Sequence, residues 1–139
     1  MKPSVPATPP SAPTTPPSAP TTPPIQGTPP VTTPVVPDPP VLPDHTSVLL
    51  NDRNDALILS TPYAQLAAGK VWLYPKNYGM DDHDLTVSRD GEQIAQVYLT
   101  PGAETTLEVD LAPGIYRFYC SLYNGAHDAA GMNTTIVAR

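Results

Sequence analysis

The stretch Gly114-Ile115-Tyr116-Arg117-Phe118-Tyr119-Cys120, continuing through Ser121-Leu122-Tyr123-Asn124-Gly125-Ala126-His127-Asp128-Ala129-Ala130-Gly131-Met132 into Asn133-Thr134-Thr135-Ile136-Val137, reads as strand, loop, strand. Strand side chains alternate between two faces, so Tyr116, Phe118 and Cys120 share one face and Arg117 and Tyr119 the other. The first set is the core face, which leaves the chain's one cysteine shielded at a strand end. Asn124-Gly125 and Gly131 let the connection fold back. Cys120 and Met132 then meet at one end of the fold, with His127 inside the bend.

Upstream, from Thr46 onward, short apolar runs are separated by turn residues, and no 3.6-residue periodicity is sustained. Strands are expected at Ser47–Leu50, Leu57–Ser60, Lys70–Tyr74, Asp84–Ser88, Ile94–Tyr98, Thr105–Val109, Gly114–Cys120 and Asn133–Val137. Turns are signalled by Asn54-Asp55, Ala68-Gly69, Asp90-Gly91, Pro101-Gly102 and Pro113-Gly114. Eight such strands predict an all-β sandwich. With one phenylalanine in the chain, Trp72 and the seven tyrosines are expected to supply much of the core's bulk. Asn133-Thr134-Thr135 matches a glycosylation acceptor pattern, but its place at the start of a strand argues against modification.

The N-terminal region is different. Seventeen of the 21 prolines precede His45, and residues 1–44 include the tandem heptad Ser11-Ala12-Pro13-Thr14-Thr15-Pro16-Pro17 and Ser18-Ala19-Pro20-Thr21-Thr22-Pro23-Pro24. Proline fixes φ and lacks an amide donor, so helix and central strand both fail here. An extended Pro/Thr/Ser-rich linker is expected, reaching roughly 130 Å at about 3.1 Å per residue. Residues 45–139 then form one two-layer domain. With Asp38, Asp44 and Lys2 set aside, that part holds 11 acidic and six basic residues, which argues against nucleic acid and anionic membrane as partners and suits either a basic protein partner or ordinary solubility. No segment is apolar and long enough to cross a bilayer, and no signal-peptide stretch follows Met1-Lys2-Pro3. A tether ahead of a small domain predicts export to a periplasmic, cell-surface or extracellular place, with any membrane attachment through an N-terminal anchor.

The chemistry gathers around the loop. A thiolate (Cys120), two imidazoles (His83 in Asp82-His83-Asp84-Leu85, and His127) and a thioether (Met132) form the donor set that favours one copper ion: thiolate and thioether suit Cu(I), imidazoles suit Cu(II). A Cys/His₂ set also suits zinc, but methionine is a poor zinc ligand. The acidic cluster Asp81, Asp82 and Asp84 lacks calcium-loop spacing and reads as a solvated loop. Four ligands leave no vacant position for a substrate, which predicts no enzyme activity. A catalytic copper cluster needs more histidines than His45 alone, and a binuclear centre needs a second cysteine.

Residues 70–139 resemble the cupredoxin family of small blue copper proteins, which includes plastocyanin, pseudoazurin and halocyanin. The likeness lies in Ala68-Gly69-Lys70-Val71, Asp82-His83-Asp84-Leu85, Pro113-Gly114-Ile115-Tyr116-Arg117-Phe118-Tyr119-Cys120-Ser121 and His127-Asp128-Ala129-Ala130-Gly131-Met132. It implies a Greek-key β-sandwich and a mononuclear type 1 copper centre on His83, Cys120, His127 and Met132. It further implies a monomer that shuttles electrons between a redox donor and acceptor, such as a cytochrome or copper enzyme, through a solvent-facing His127. The alternative is a cupredoxin-like binding or copper-storage module. Two features depart from the family pattern: six residues separate Cys120 from His127, where two to four are usual, and Asp84 stands where relatives often carry asparagine.

Overall fold

The computed structural model describes residues 3–14, 17, 18, 20, 27, 34, 35 and 37–139. The tandem heptad lies partly outside the described residues. The chain divides into two units, Met1–Pro37 and Asp38–Arg139. In the first unit the described residues carry no helix or strand and are exposed.

The second unit is a sandwich of two mixed sheets. Its strands are β1 (His45–Asn51), β2 (Ile58–Ser60), β3 (Gln65–Leu66), β4 (Gly69–Asn77), β5 (His83–Arg89), β6 (Glu92–Leu99), β7 (Leu107–Leu111), β8 (Gly114–Tyr119) and β9 (Asn133–Ala138). One sheet runs β2-β1-β4-β7 and the other β3-β9-β8-β5-β6. The sequence identifies eight of the nine strands. The two-residue β3 escapes it, as do the parallel pairings of β1 with β4 and β3 with β9. Chain before the first strand already belongs to this unit: the amides of Ala67 and Trp72 donate to the carbonyls of Pro43 and Asp44 at 2.8 and 3.0 Å.

Between the sheets, Leu50 and Leu73 from one layer pack with Leu85, Val87, Phe118 and Ile136 from the other, all essentially fully buried. Burying each such side chain stabilises the fold by about 1.5–3 kcal/mol. The tyrosines mostly do not join them. Tyr116 is buried, its hydroxyl donating to the Ala112 carbonyl at 2.8 Å, whereas Tyr63, Tyr74, Tyr78, Tyr98 and Tyr123 are exposed. Strand alternation explains Tyr74: its neighbours Leu73 and Pro75 take the inner face of β4. β5 is buried on both faces from His83 to Ser88, because the core covers one face and β6 and the Cys120 loop shield Asp84 on the other.

Candidate metal centre

Strand direction assembles most of the site. β8 is antiparallel to both β5 and β9, so its C-terminal end lies beside the N-terminal ends of its neighbours. His83 opens β5, Cys120 follows the last residue of β8 and Met132 precedes the first of β9. These three residues therefore reach one pole through register. His127 arrives differently, on the one-turn helix α1 (Ala126–Ala129). Tyr123, Asn124 and Gly125 all have positive φ (56°, 54° and 79°), and this left-handed run turns the chain into α1. The loop then closes on itself: the Met132 amide donates to the His127 carbonyl at 3.0 Å and the Cys120 amide to the Met132 carbonyl at 3.1 Å.

Three donor atoms converge. His83 Nδ1 lies 3.1 Å from His127 Nδ1, and Cys120 Sγ lies 3.5 Å from His127 Nδ1 and 3.9 Å from His83 Nδ1. Around one ion with bonds of about 2.0–2.1 Å to nitrogen and about 2.3 Å to sulfur, donors stand roughly 3.3–3.8 Å apart. Of the three separations, 3.5 Å lies in that range and 3.1 and 3.9 Å fall just outside it on either side, so the cluster is close to the spacing that a single ion needs. His83, Cys120 and Met132 have no exposed surface, and His127 keeps 9%. All four residues are positioned to bind a metal.

Burial also sets the proton inventory. It pushes the Cys120 thiol up, against the opposing pull of the Asp84 and Leu122 amides, and it pushes the His83 imidazole down, against the attraction of the Asp52 carboxylate. At neutral pH the metal-free site therefore holds a protonated thiol, and metal binding must release that proton.

The surroundings hold the donors in place. The Asp84 amide donates to Cys120 Sγ at 3.4 Å. Its carboxylate, fully buried, accepts from the Ser121 amide and Gln96 Nε2, both at 2.6 Å, and from the Ser121 hydroxyl. Asp84 thus straps the start of the loop to β5, and the reading of Asp81, Asp82 and Asp84 as one solvated cluster fails at this member. Asp128 on α1 is clamped by the Arg117 guanidinium, with Nη1 at 2.6 Å, and by Asn133 Nδ2 at 2.9 Å. The same Asn133 nitrogen also donates to the Asp128 carbonyl at 3.0 Å.

The resemblance implies a solvent-facing His127. Here the Tyr123 ring covers it, with centroids 4.5 Å apart. Sequence reasoning missed Asp52, whose Oδ2 lies 3.4 Å from His83 Nε2, and also the roles of Gln96, Ser121 and Asp128. No local pattern marks Asp52; its role exists only after β1 has paired with β4. His45 lies outside the cluster, paired on the surface with Asp44 at 2.8 Å.

No known family description and no curated protein matches the sequence. Among solved structures, the chain is similar to dithionite-reduced auracyanin from the photosynthetic bacterium Roseiflexus castenholzii, at 18% identity over 70% of this chain and 98% of that one, TM-score 0.56. It is also similar to auracyanin A of the green thermophilic photosynthetic bacterium Chloroflexus aurantiacus, described as a "blue" copper protein, at 13% identity over 68% and 99% of the two chains, TM-score 0.51. A Cu-containing nitrite reductase from Thermus scotoductus SA-01 matches at 13% identity over 70% of this chain and 31% of its own, TM-score 0.52. At these identities the likeness establishes the fold, a cupredoxin β-sandwich.

Proposed function

We propose that this cupredoxin-fold chain is an electron carrier in which His83, Cys120 and His127, with Met132 as a weaker fourth donor, would hold one copper ion. The observation that carries the reading is the convergence of two Nδ1 atoms and one Sγ in a buried pole. Copper bound there would supply a one-electron Cu(I)/Cu(II) couple. The chain's contribution is rigidity. Asp84 and the Cys120–Met132 backbone bond fix the thiol, and α1 with its Asp128 clamp fixes His127, so the donors need little rearrangement when charge changes.

In this reading the Pro/Thr/Ser-rich residues 1–37 act as a spacer, and the exported domain passes electrons between a redox donor and acceptor, such as a cytochrome and a copper enzyme. Among the described residues no helix is long and apolar enough to cross a membrane. The acidic Asp81 and Asp82 beside the pole favour a basic partner face. Enzyme neighbours carry the fold within much longer chains, as the nitrite reductase match over 31% of its chain illustrates. The sequence's one further histidine, His45, pairs with Asp44 on the surface outside the cluster, which supports carriage over catalysis.

The test is copper titration followed by optical and paramagnetic spectroscopy and voltammetry. One equivalent of Cu(II) should give an intense visible thiolate-to-copper band and a reversible one-electron wave. A colourless adduct, or one that cannot be cycled, would replace the carrier reading with copper storage or binding.

A further inference from the structure

Among the described residues, His83 Nε2 is the one buried side-chain nitrogen or oxygen without a hydrogen-bond partner. It faces a carboxylate. Asp52 Oδ2 stands 3.4 Å away, too poorly aligned for a hydrogen bond but close enough for a strong contact between charge and dipole where water is excluded. The Asp52 side chain is 6% exposed.

The carboxylate is aimed by the chain that leads into His83. Met80 donates its amide to Asp52 Oδ1 at 2.6 Å and Asp81 donates its amide to Oδ2 at 2.7 Å. Asn77, fully buried, frames the same turn by accepting from the Gly79 amide at 2.8 Å and donating to the Asp81 carbonyl at 2.8 Å. Gly79 completes the arrangement. A Cβ there would fall 2.5 Å from Asp52 Oδ1 and 2.9 Å from His83 Nε2, so only glycine leaves room for the pair.

We propose that Asp52 is a positioning residue: its carboxylate selects the His83 tautomer with the proton on Nε2, directing the Nδ1 lone pair into the cluster with Cys120 and His127. The opposite tautomer would set an Nε2 lone pair against the carboxylate. The 3.1 Å contact between the two Nδ1 atoms fits this choice, since His127 Nδ1–H then donates to a bare His83 Nδ1 in the metal-free protein. A carboxylate on the remote nitrogen makes an imidazole a stronger donor. The consequence for redox balance rests on the copper reading; the tautomer assignment does not.

The experiment reads the two separately. Long-range ¹H–¹⁵N correlation on the metal-free, ¹⁵N-labelled full chain at pH 8 should show His83 protonated at Nε2. Asp52→Asn and Gly79→Ala, the second of which displaces the carboxylate without removing it, should each give mixed tautomers while the amide shifts of β8 and β9 stay in place. With copper bound, both variants should lower Cu(II) affinity relative to Cu(I) by about tenfold, a rise of about 59 mV in a one-electron potential. Protonation at Nδ1 in the unaltered chain, or an unchanged tautomer in both variants, overturns the proposal. If copper fails to give a thiolate complex while the tautomers respond as stated, the carrier reading falls and the positioning role stands.

Discussion

His83 and His127 present the same atom, Nδ1, to the same sulfur, yet they reach it from opposite structural situations. His83 opens a strand that is buried on both faces. It pairs with Leu99 of β6 while β8 pairs with the later residues of its strand, and its remote nitrogen meets a carboxylate held by two amides. His127 sits on a four-residue helix within an extended loop, placed by side-chain clamps and capped by a tyrosine ring. One half of the pole follows from sheet register, which the core already stabilises. The other half depends on a few polar contacts and can loosen without unfolding the sandwich.

Removing the strap between the halves should have the largest effect. Asp84→Ala strands the Ser121 amide and Gln96 and takes away a buried carboxylate with charge-assisted bonds, so the metal-free protein should lose about 2–4 kcal/mol. Its urea midpoint should fall and amide exchange at residues 121–132 should rise more than along β5. An unchanged midpoint would mean that the loop is not held through Asp84.

Acidification should act through the register half. Burial, partly opposed by the Asp52 carboxylate, holds the His83 pKa below its ordinary value, so the unfolded chain takes up this proton first as pH falls. The metal-free protein should therefore be fully stabilised above about pH 7 and lose up to about 1.4 kcal/mol per pH unit as pH drops below roughly 6.5. His83→Gln should flatten that part of the curve. Chemical denaturation at pH 5, 6 and 7.5 gives the slope, and an equal slope in the variant would contradict the assignment.

Smaller changes probe the loop half. Met132→Leu conserves volume and should cost less than about 1.5 kcal/mol. On the copper reading it should keep the metal and shift the potential, and a loss of binding would make Met132 more than a weak fourth donor. Arg117→Ala should cost under about 1 kcal/mol, because the Arg117–Asp128 pair is partly solvated. Its signature should be faster amide exchange confined to α1. Exchange spreading into β5 would erase the distinction between the halves.

Much of the architecture was legible in the chain. Alternation in Tyr116, Phe118 and Cys120 identified the inner face of β8, and all three are buried. Turn pairs such as Asp90-Gly91 and Pro113-Gly114 marked strand ends, with left-handed φ at Asp90, Gly91 and Gly114. The Cys120–Met132 loop together with His83 was visible because few residue types can donate to a soft metal. β3 and α1 span two and four residues, too few to show a period. Asp84 was marked only by its place after His83, where relatives often carry asparagine; that it is buried, unlike the exposed Asp81, is not reported by composition. Asp52 left no local signature. Its function is a meeting of the turn after β1 with the turn before β5, and only the folded sheet brings them together.

The central claim, that the Cys120 sulfur with His83 and His127 holds one copper ion, is tested most directly by the visible spectrum of the Cu(II)-loaded full chain beside that of Cys120→Ser. The account predicts an intense band in the first and none in the second, with both proteins folded by circular dichroism. A band of full intensity in Cys120→Ser would contradict it.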